Sequence, residues 1–202
     1  DFLLEIGGIT FQGNATLGEN ITLAGLRETY DGVFLGLGLA GVRALGLESD
    51  FAEGVLDAVD FIETLRSRIL SEVVVGRRVV VIGGGNTAVD AAVQAKRLGA
   101  EEVTLVYRRG AEHMSATEVE REWAQTNGVT VRFWASPSQL NVEDGAIRSI
   151  TFLRGTPDGG YDPPNAFTRA ADMGLKAIGP GFVPDPVRNH QIPGENGRLV
   201  VD

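Results

Sequence analysis

The stretch RRVVVIGGGNTAVDAAVQAKRLGAEEVTLVYRR, residues 77–109, contains two apolar runs that are separated by a glycine cluster and an amphipathic segment. The run at 78–82 predicts a buried strand, because strands buried on both faces show continuous apolar residues. Residues 86–98 have apolar side chains at helical spacing, and the run at 103–107 predicts a second strand. A strand, a helix and a strand within about thirty residues are typical of a βαβ unit with parallel strands.

The residues that follow the first predicted strand match the pattern G-x-G-x-x-A. In this pattern the first glycine permits a tight turn, the second lets the backbone approach a pyrophosphate, and the alanine allows close packing of helix on strand. The amides that open the helix point toward the diphosphate, and the helix dipole favours its charge. We therefore predict that a dinucleotide diphosphate contacts Gly83, Gly84, Gly85, Asn86, Thr87 and Ala88. The alternative is a glycine-rich turn in another α/β fold.

The end of the second predicted strand distinguishes the two nicotinamide cofactors. An NAD site has Asp or Glu there to accept from the ribose 2′-hydroxyl, whereas an NADP site has Arg to hold a 2′-phosphate. Here Tyr107 is followed by Arg108 and Arg109, and guanidinium groups bind phosphate through charge-assisted hydrogen bonds. The sequence thus predicts NADPH, with Arg108 and Arg109 at its 2′-phosphate. The alternative is a solvated basic pair at a strand end.

Patterns on both sides of this unit extend the predicted fold. Apolar periodicity, turn residues and helix caps predict strands at 9–12, 33–37, 129–135 and 172–178, helices at 22–28, 52–70 and 117–126, and a hairpin of 139–142 with 146–153. A helix end before Gly7 and Gly8, and a polar loop at 155–164, are also expected. The predicted fold class is α/β, a Rossmann-like parallel sheet with crossover helices plus a small antiparallel meander.

The composition of the 202 residues excludes several function classes. The net charge of −9 argues against broad nucleic-acid binding, which needs clustered basic residues. Without cysteine, the chain forms no disulfide and ligates no iron–sulfur cluster through thiolates, and its two histidines, His113 and His190, do not predict a metal site. The apolar runs are too short to span a bilayer. We expect a soluble, cytoplasmic protein without a nucleic-acid or membrane partner.

Several polar residues near the predicted site allow two interpretations. His113 is either an acid or further phosphate donor, or a surface-loop histidine, and the surface position is favoured. Asp90 either orients the glycine loop or only complements the helix dipole. Glu118, Glu120 and Glu122 are interpreted as a solvated helix face rather than as paired catalytic acids.

The segments VVVIGGGNTAVDAA at 79–92 and GAEEVTLVYRR at 99–109 resemble the NADPH-binding domain of the glutamate synthase small-subunit family. This family of flavoproteins with two dinucleotide-binding domains includes the matching region of dihydropyrimidine dehydrogenase. The segments at 26–39, 171–182 and 196–202 resemble further parts of it. The resemblance implies that NADPH reduces FAD and that electrons pass through iron–sulfur clusters to a partner.

The resemblance also implies a domain organisation. Residues 39–179 correspond to the NADPH-binding domain, while 1–38 and 180–202 correspond to remnants of a flanking FAD domain. The motifs for FAD and the cysteines for iron–sulfur clusters would lie outside this sequence, so the chain is expected to be a fragment that is inactive alone. Gly36-Leu37-Gly38 stands where the family has Ala-Thr-Gly, so the threonine of that turn has no counterpart here.

By the same resemblance, Ala177 and Gly179 line the nicotinamide side of the cofactor. No catalytic residue is predicted, because hydride transfer to a flavin requires alignment of the two rings rather than a proton donor. The expected partners are NADPH, the flavin domain of the same polypeptide, and a large synthase subunit or another electron-accepting subunit. The alternatives are a self-contained NADP-dependent dehydrogenase and a non-catalytic module that senses NADP.

Overall fold

The computed structural model describes residues 5–36, 41–42, 44–156, 158–181, 194–195 and 198–199. The chain divides into two compact units. One unit comprises Asp1–Gly41 with Gly181–Asp202, and the other comprises Val42–Pro180.

The first unit contains helix α1, Leu23–Thr29. The hydroxyl of Thr22 caps this helix by accepting from the amide of Gly25, as the sequence predicts. Gly7 and Gly8 have φ angles of 83° and 76°, as expected for a helix end, although residues 1–4 lie outside the described part. Four strands of two residues each occur in the described part of the chain, namely β1 (Gly41–Val42), β10 (Pro180–Gly181), β11 (Gly194–Glu195) and β12 (Arg198–Leu199).

Two strands predicted in the first unit are not formed. Residues 9–12 and 33–36 have no regular secondary structure, and Leu37 and Gly38 lie outside the described residues. The side chains of Phe11 and Phe34 are 80% and 95% exposed. An apolar run becomes a strand only when a partner strand and a packed layer cover it, and propensity alone does not supply either.

The second unit is built on a five-stranded parallel sheet. Its order is β2-β9-β3-β4-β5, and every neighbouring pair is parallel. The strands are β2 (Val55–Asp57), β3 (Arg78–Gly83), β4 (Glu102–Val106), β5 (Val129–Arg132) and β9 (Met173–Ala177). The helices of this unit are α2 (Ala58–Ser67), α3 (Asn86–Arg97) and α4 (Glu118–Thr126). The predicted strand–helix–strand unit of residues 78–107 is confirmed as β3, α3 and β4.

A three-stranded antiparallel meander is inserted between β5 and β9. It comprises β6 (Ala135–Glu143), β7 (Ala146–Gly155) and β8 (Tyr161–Ala170) in that spatial order. The predicted hairpin is confirmed, and it is longer than the sequence pattern indicated. The prediction of a loop at 155–164 is wrong for its second half, because β8 begins at Tyr161. The strand β8 lies at the edge of the meander, where Pro163 and Pro164 are tolerated.

Two further boundaries differ from the prediction. The strand predicted at 129–135 is two strands, because Trp134 has a φ of 55° and turns the chain from the parallel sheet into the meander. The helix predicted at 52–70 begins only at Ala58, since residues 55–57 pair with β9 as β2. The helix ends at Ser67, and a separate 3-10 turn follows at Leu70–Glu72.

The sheet is buried on both faces. On one face, Val79 and Val81 of β3 pack with the three helices. On the other face, Val80 and Ile82 pack with the meander, including Phe152. This arrangement explains the uninterrupted apolar sequence of β3, because alternate side chains enter two different cores.

Asp172 ties the start of β9 to the start of β3. Its carboxylate accepts hydrogen bonds from the backbone amide of Arg78 at 3.0 Å and from Nη2 of the same residue at 2.6 Å. The hydrogen bond from the Arg78 side chain holds the pKa of Asp172 below its usual value, against the opposing effect of burial. We expect Asp172→Asn to lower the free energy of unfolding at neutral pH by about 1–2 kcal/mol, a value limited by partial exposure.

This contribution depends on pH in a definite direction. Because the pKa of Asp172 is lower in the folded chain, its stabilisation is complete above the unfolded value of 3.8 and is lost as the pH falls through the folded pKa. Urea titrations of the wild-type chain and of Asp172→Asn should therefore give free energies of unfolding that differ at pH 7, and this difference should shrink below about pH 4. Glu101→Gln is the control, since the Arg77–Glu101 pair is more exposed. An equal loss in both variants would contradict the prediction.

Candidate nucleotide-binding site

A cleft of about 530 Å³ lies at the carboxyl ends of the parallel strands. The ends of β3, β4 and β9 line it, together with Ser136 and Pro137 of the meander. The chain proceeds from β3 to β4 on one side, while β9 returns on the opposite side of β3. Such a reversal of strand order opens a crevice above the sheet, which is where ligands bind in open α/β folds.

The first two glycines of the loop are required by protein packing. A β-carbon on Gly83 would overlap the carbonyl of Ala177 on the neighbouring strand. A β-carbon on Gly84 would overlap the ring of Tyr107, whose hydroxyl donates to the carbonyl oxygen of His113 at 2.6 Å. These two glycines therefore allow the strand end and the loop to pack closely, whether or not a ligand is bound.

Gly85 has a different environment. It is the N-cap residue of α3, with a φ of −103° that any residue can adopt. A β-carbon on it would meet only the hydroxyl of Ser115, at 3.3 Å. Gly85 is also partly exposed and lines the cleft. The space beside this glycine is therefore open to a ligand rather than filled by the protein.

The first amides of α3 have no side-chain acceptor within the helix start itself. Its N-cap residue has no side chain to accept from the first-turn amides, and no acidic residue lies in the first turn. The first amides of a helix need an acceptor and carry partial positive charge. The side chain of Thr87 lines the cleft, whereas Asn86 is exposed and Ala88 is buried in the helix-side core. This helix start is therefore suited to an anion.

Arg108 and Arg109 line the same cleft at the end of β4. Both are exposed, and the ion pairs formed among the described residues involve other cations. The backbone carbonyl of Arg109 accepts from the amide of Trp134 at 3.2 Å, which anchors this segment to the start of the meander. The two guanidinium groups are thus held by a fixed backbone and are available to a ligand.

Of the ten residues predicted to contact the cofactor, the structure places eight around the cleft and two away from its lining. The eight are Gly83, Gly84, Gly85, Thr87, Arg108, Arg109, Ala177 and Gly179. Asn86 and Ala88 belong to the adjoining helix but do not line the cleft, which for Ala88 agrees with the packing role of the last position of the motif.

Sequence reasoning missed Tyr107, Ser115 and Lys176, which also line the cleft. Ser115 donates to the carbonyl oxygen of Gly84 at 3.3 Å, so the segment after the arginines packs against the glycine loop. The side chain of His113 is half-exposed and lies 3.6 Å from Glu112, which agrees with a surface position. No sequence pattern indicated Ser115 or Lys176, because the contacts that place them are distant along the chain.

A second group of arginines surrounds the ring of Phe167 on the meander. The guanidinium groups of Arg154 and Arg132 lie 5.2 Å and 6.0 Å from the ring centre of Phe167. Burial, followed by repulsion from Arg169 and Arg154, lowers the pKa of Arg132. The backbone carbonyl of Arg132 accepts from the amide of Tyr107 at 2.8 Å, but the side chains of this group do not line the cleft.

The described residues contain no group of three or more His, Cys, Asp or Glu that could hold a metal ion. Among the helices of the same described ranges, none is long and apolar enough to cross a membrane.

Comparison with known proteins identifies the family. A family model described as pyridine nucleotide-disulphide oxidoreductase matches residues 3–202. The chain belongs to this family. The predicted α/β fold is confirmed as well, by the five-stranded parallel sheet with its antiparallel meander and by the structural similarity to a solved oxidoreductase. FprA, an oxidoreductase of Mycobacterium tuberculosis whose structure revealed a covalent modification of NADP+, aligns with a TM-score of 0.70 at 22% identity, over 92% of this chain and 59% of that one.

Curated relatives also support the resemblance seen in the sequence. The NADPH glutamate synthase small chain of Escherichia coli K12 is 35% identical over 166 residues, which cover 75% of this chain and 35% of that protein. The β subunit of the NADP(+)-dependent formate dehydrogenase of Moorella thermoacetica is 36% identical over 157 residues, which cover 75% of this chain and 22% of that protein. The chain thus spans about a third or less of these relatives' length.

Proposed function

We propose that this chain provides the NADPH-binding site of a flavoprotein oxidoreductase, in which NADPH delivers a hydride to FAD. The observation that carries the proposal is the convergence, in one cleft at the strand-order reversal, of an open glycine at an uncapped helix start and of two exposed arginines. The names of both curated relatives specify NADPH or NADP(+), and this supports the same choice of cofactor.

Each part of NADPH has a complementary part of the cleft in this proposal. The diphosphate binds against Gly85 and the first amides of α3, with the Thr87 hydroxyl as a further donor. Gly83, Gly84 and Ala88 shape the loop, and Asn86 adds a donor at its rim.

Arg108 and Arg109 bind the 2′-phosphate, while Ala177 and Gly179 lie on the nicotinamide side. The cleft volume of about 530 Å³ falls in the usual range for cofactor sites.

The residues of this chain act by binding and orientation. Bound NADPH supplies the hydride, and this chemistry requires that the nicotinamide face its acceptor at the correct distance. The arginines and the helix start hold the charged end of the cofactor, so that the strand ends can fix the position of the nicotinamide. Accordingly, none of these residues is assigned a proton-transfer role.

The proposal includes the organisation of the whole protein. Residues 39–179 form the NADPH-binding domain, and residues 1–38 with 180–202 belong to an FAD-binding domain. Electrons then pass from FAD to an electron-accepting partner subunit, through iron–sulfur clusters where the whole protein carries them. Such clusters would be ligated outside this sequence, which contains no cysteine.

Binding of nucleotides to the 202-residue chain tests the proposal. Calorimetric titration at low salt should give a dissociation constant for NADPH at least about tenfold below that for NADH, because a 2′-phosphate adds charge-assisted hydrogen bonds. We also expect 2′,5′-ADP to bind and 5′-AMP to bind more weakly. The preference should shrink as salt is raised, since the arginines are exposed. Equal affinity for NADPH and NADH at low salt would refute the assignment of Arg108 and Arg109.

A further inference from the structure

Lys176 is a buried cation at the end of β9, and only 5% of its side chain is exposed. Along this strand, Met173 and Leu175 pack into the helix-side core. The alternation of a strand therefore directs Lys176 to the meander side of the sheet. Near it, that side contains the apolar residues Ile82 and Ile178. A charge in such a layer is costly unless specific partners compensate it.

Lys176 has partners on two sides among the described residues. Its Nζ atom lies 3.4 Å from Oδ1 of Asp57 and 3.3 Å from the backbone carbonyl oxygen of Asp50. Asp57 is the N-cap residue of α2, yet its carboxylate makes no capping hydrogen bond and instead faces the lysine. The Phe51 ring centre lies 5.3 Å from the ammonium nitrogen. These contacts hold the ammonium group in one position.

The ammonium group nevertheless retains capacity for a ligand. It has three N–H donors, and among the described residues one of them donates a hydrogen bond, to the carbonyl oxygen of Asp50. The contact with Oδ1 of Asp57 is an ion pair without hydrogen-bond geometry. Lys176 also lines the cleft, next to Ala177 and close to Gly179. A buried ion pair contributes little net stability compared with apolar side chains of similar size. Packing alone therefore does not explain a lysine at this position.

The strand order shows which part of a bound dinucleotide lies nearest to Lys176. The arginines follow β4 and the glycine loop follows β3, while β9 lies on the opposite side of β3. A dinucleotide whose 2′-phosphate contacts the arginines and whose diphosphate lies over the loop extends toward the end of β9. The distance from β4 to β9 is two strand spacings, about 10 Å.

We propose that Lys176 is a positioning residue for the nicotinamide half of NADPH, a role that rests on the proposed function. Its ammonium group donates a hydrogen bond to an uncharged oxygen of that half, either the carboxamide oxygen or a ribose hydroxyl. Asp57 and the carbonyl of Asp50 orient the donor from the opposite side. Lys176 thereby fixes the ring that reacts, while the arginines hold the other end of the cofactor.

The test compares NADPH with 2′,5′-ADP, which lacks the nicotinamide half. Both ligands are titrated into the 202-residue chain and its variants by calorimetry. We expect Lys176→Met to weaken NADPH binding at least about tenfold, because a hydrogen bond from a charged donor is lost, and to leave 2′,5′-ADP binding within about twofold. Lys176→Arg, which keeps the charge, should restore part of the NADPH affinity.

The ratio of the two affinities separates positioning from a structural role, because a damaged fold would weaken the binding of both ligands. The double variant Lys176→Met/Asp57→Asn removes both charges of the pair. If the single variant does not fold, the ratio of the two affinities is measured on this double variant instead. If either variant folds and its affinities for NADPH and 2′,5′-ADP fall by the same factor, or do not change, the role of Lys176 is overturned and the proposed function stays intact. A wild-type chain that binds neither ligand would overturn the proposed function and this role together.

Discussion

The double substitution Arg108→Ala/Arg109→Ala is expected to weaken NADPH binding by about ten- to a hundredfold and NADH binding by less than about threefold. Each well-formed hydrogen bond between a guanidinium group and a phosphate contributes about 1.5–3 kcal/mol, and roughly 1.4 kcal/mol corresponds to a tenfold change in affinity. Both side chains are exposed at the cleft, so solvent keeps the effect of the pair below the sum of two well-formed hydrogen bonds.

Thermal unfolding in the presence of each nucleotide measures this effect, because a ligand that binds only the folded chain raises its stability with concentration. Arg66→Ala/Arg68→Ala is a matched control. It removes the same charge from exposed positions that do not line the cleft. If the control variant lost as much NADPH stabilisation as the cleft variant, general electrostatic attraction would explain the preference and no specific phosphate contact would be needed.

Gly85→Val is expected to abolish measurable NADPH binding while the fold persists. The backbone of Gly85 can accommodate a side chain, and a β-carbon there meets only the Ser115 hydroxyl at 3.3 Å. The valine methyl groups would occupy the space where the pyrophosphate approaches the backbone. Gly83→Ala provides the contrast, because its β-carbon overlaps the Ala177 carbonyl and should destabilise the fold by about 2 kcal/mol or more.

Circular dichroism and calorimetry on the same samples separate the two effects. Gly85→Val should keep the wild-type spectrum and a similar Tm but show no heat of binding, whereas Gly83→Ala should show a lower Tm. A folded Gly85→Val chain that binds NADPH with unchanged affinity would show that no pyrophosphate approaches the backbone at this glycine.

The sequence by itself determined the central strand–helix–strand unit and the chemistry of the candidate site. The apolar run of β3, the spacing of α3 and the capping box of Thr117 and Glu120 depend on neighbours only a few residues apart. Local interactions of this kind leave a readable pattern. The glycine motif and Arg108 with Arg109 were readable for the same reason, because one short loop and one strand end carry them.

Only the tertiary structure decided which extended segments pair and which distant residues reach the cleft. The strand β8 forms despite Pro163 and Pro164 because β7 offers a free edge, whereas residues 9–12 and 33–36 have similar or stronger strand propensity and remain unpaired. Lys176 contacts Asp50 across 126 residues of sequence. Strand pairing and the burial of a charge depend on such long-range contacts, and local sequence does not encode them.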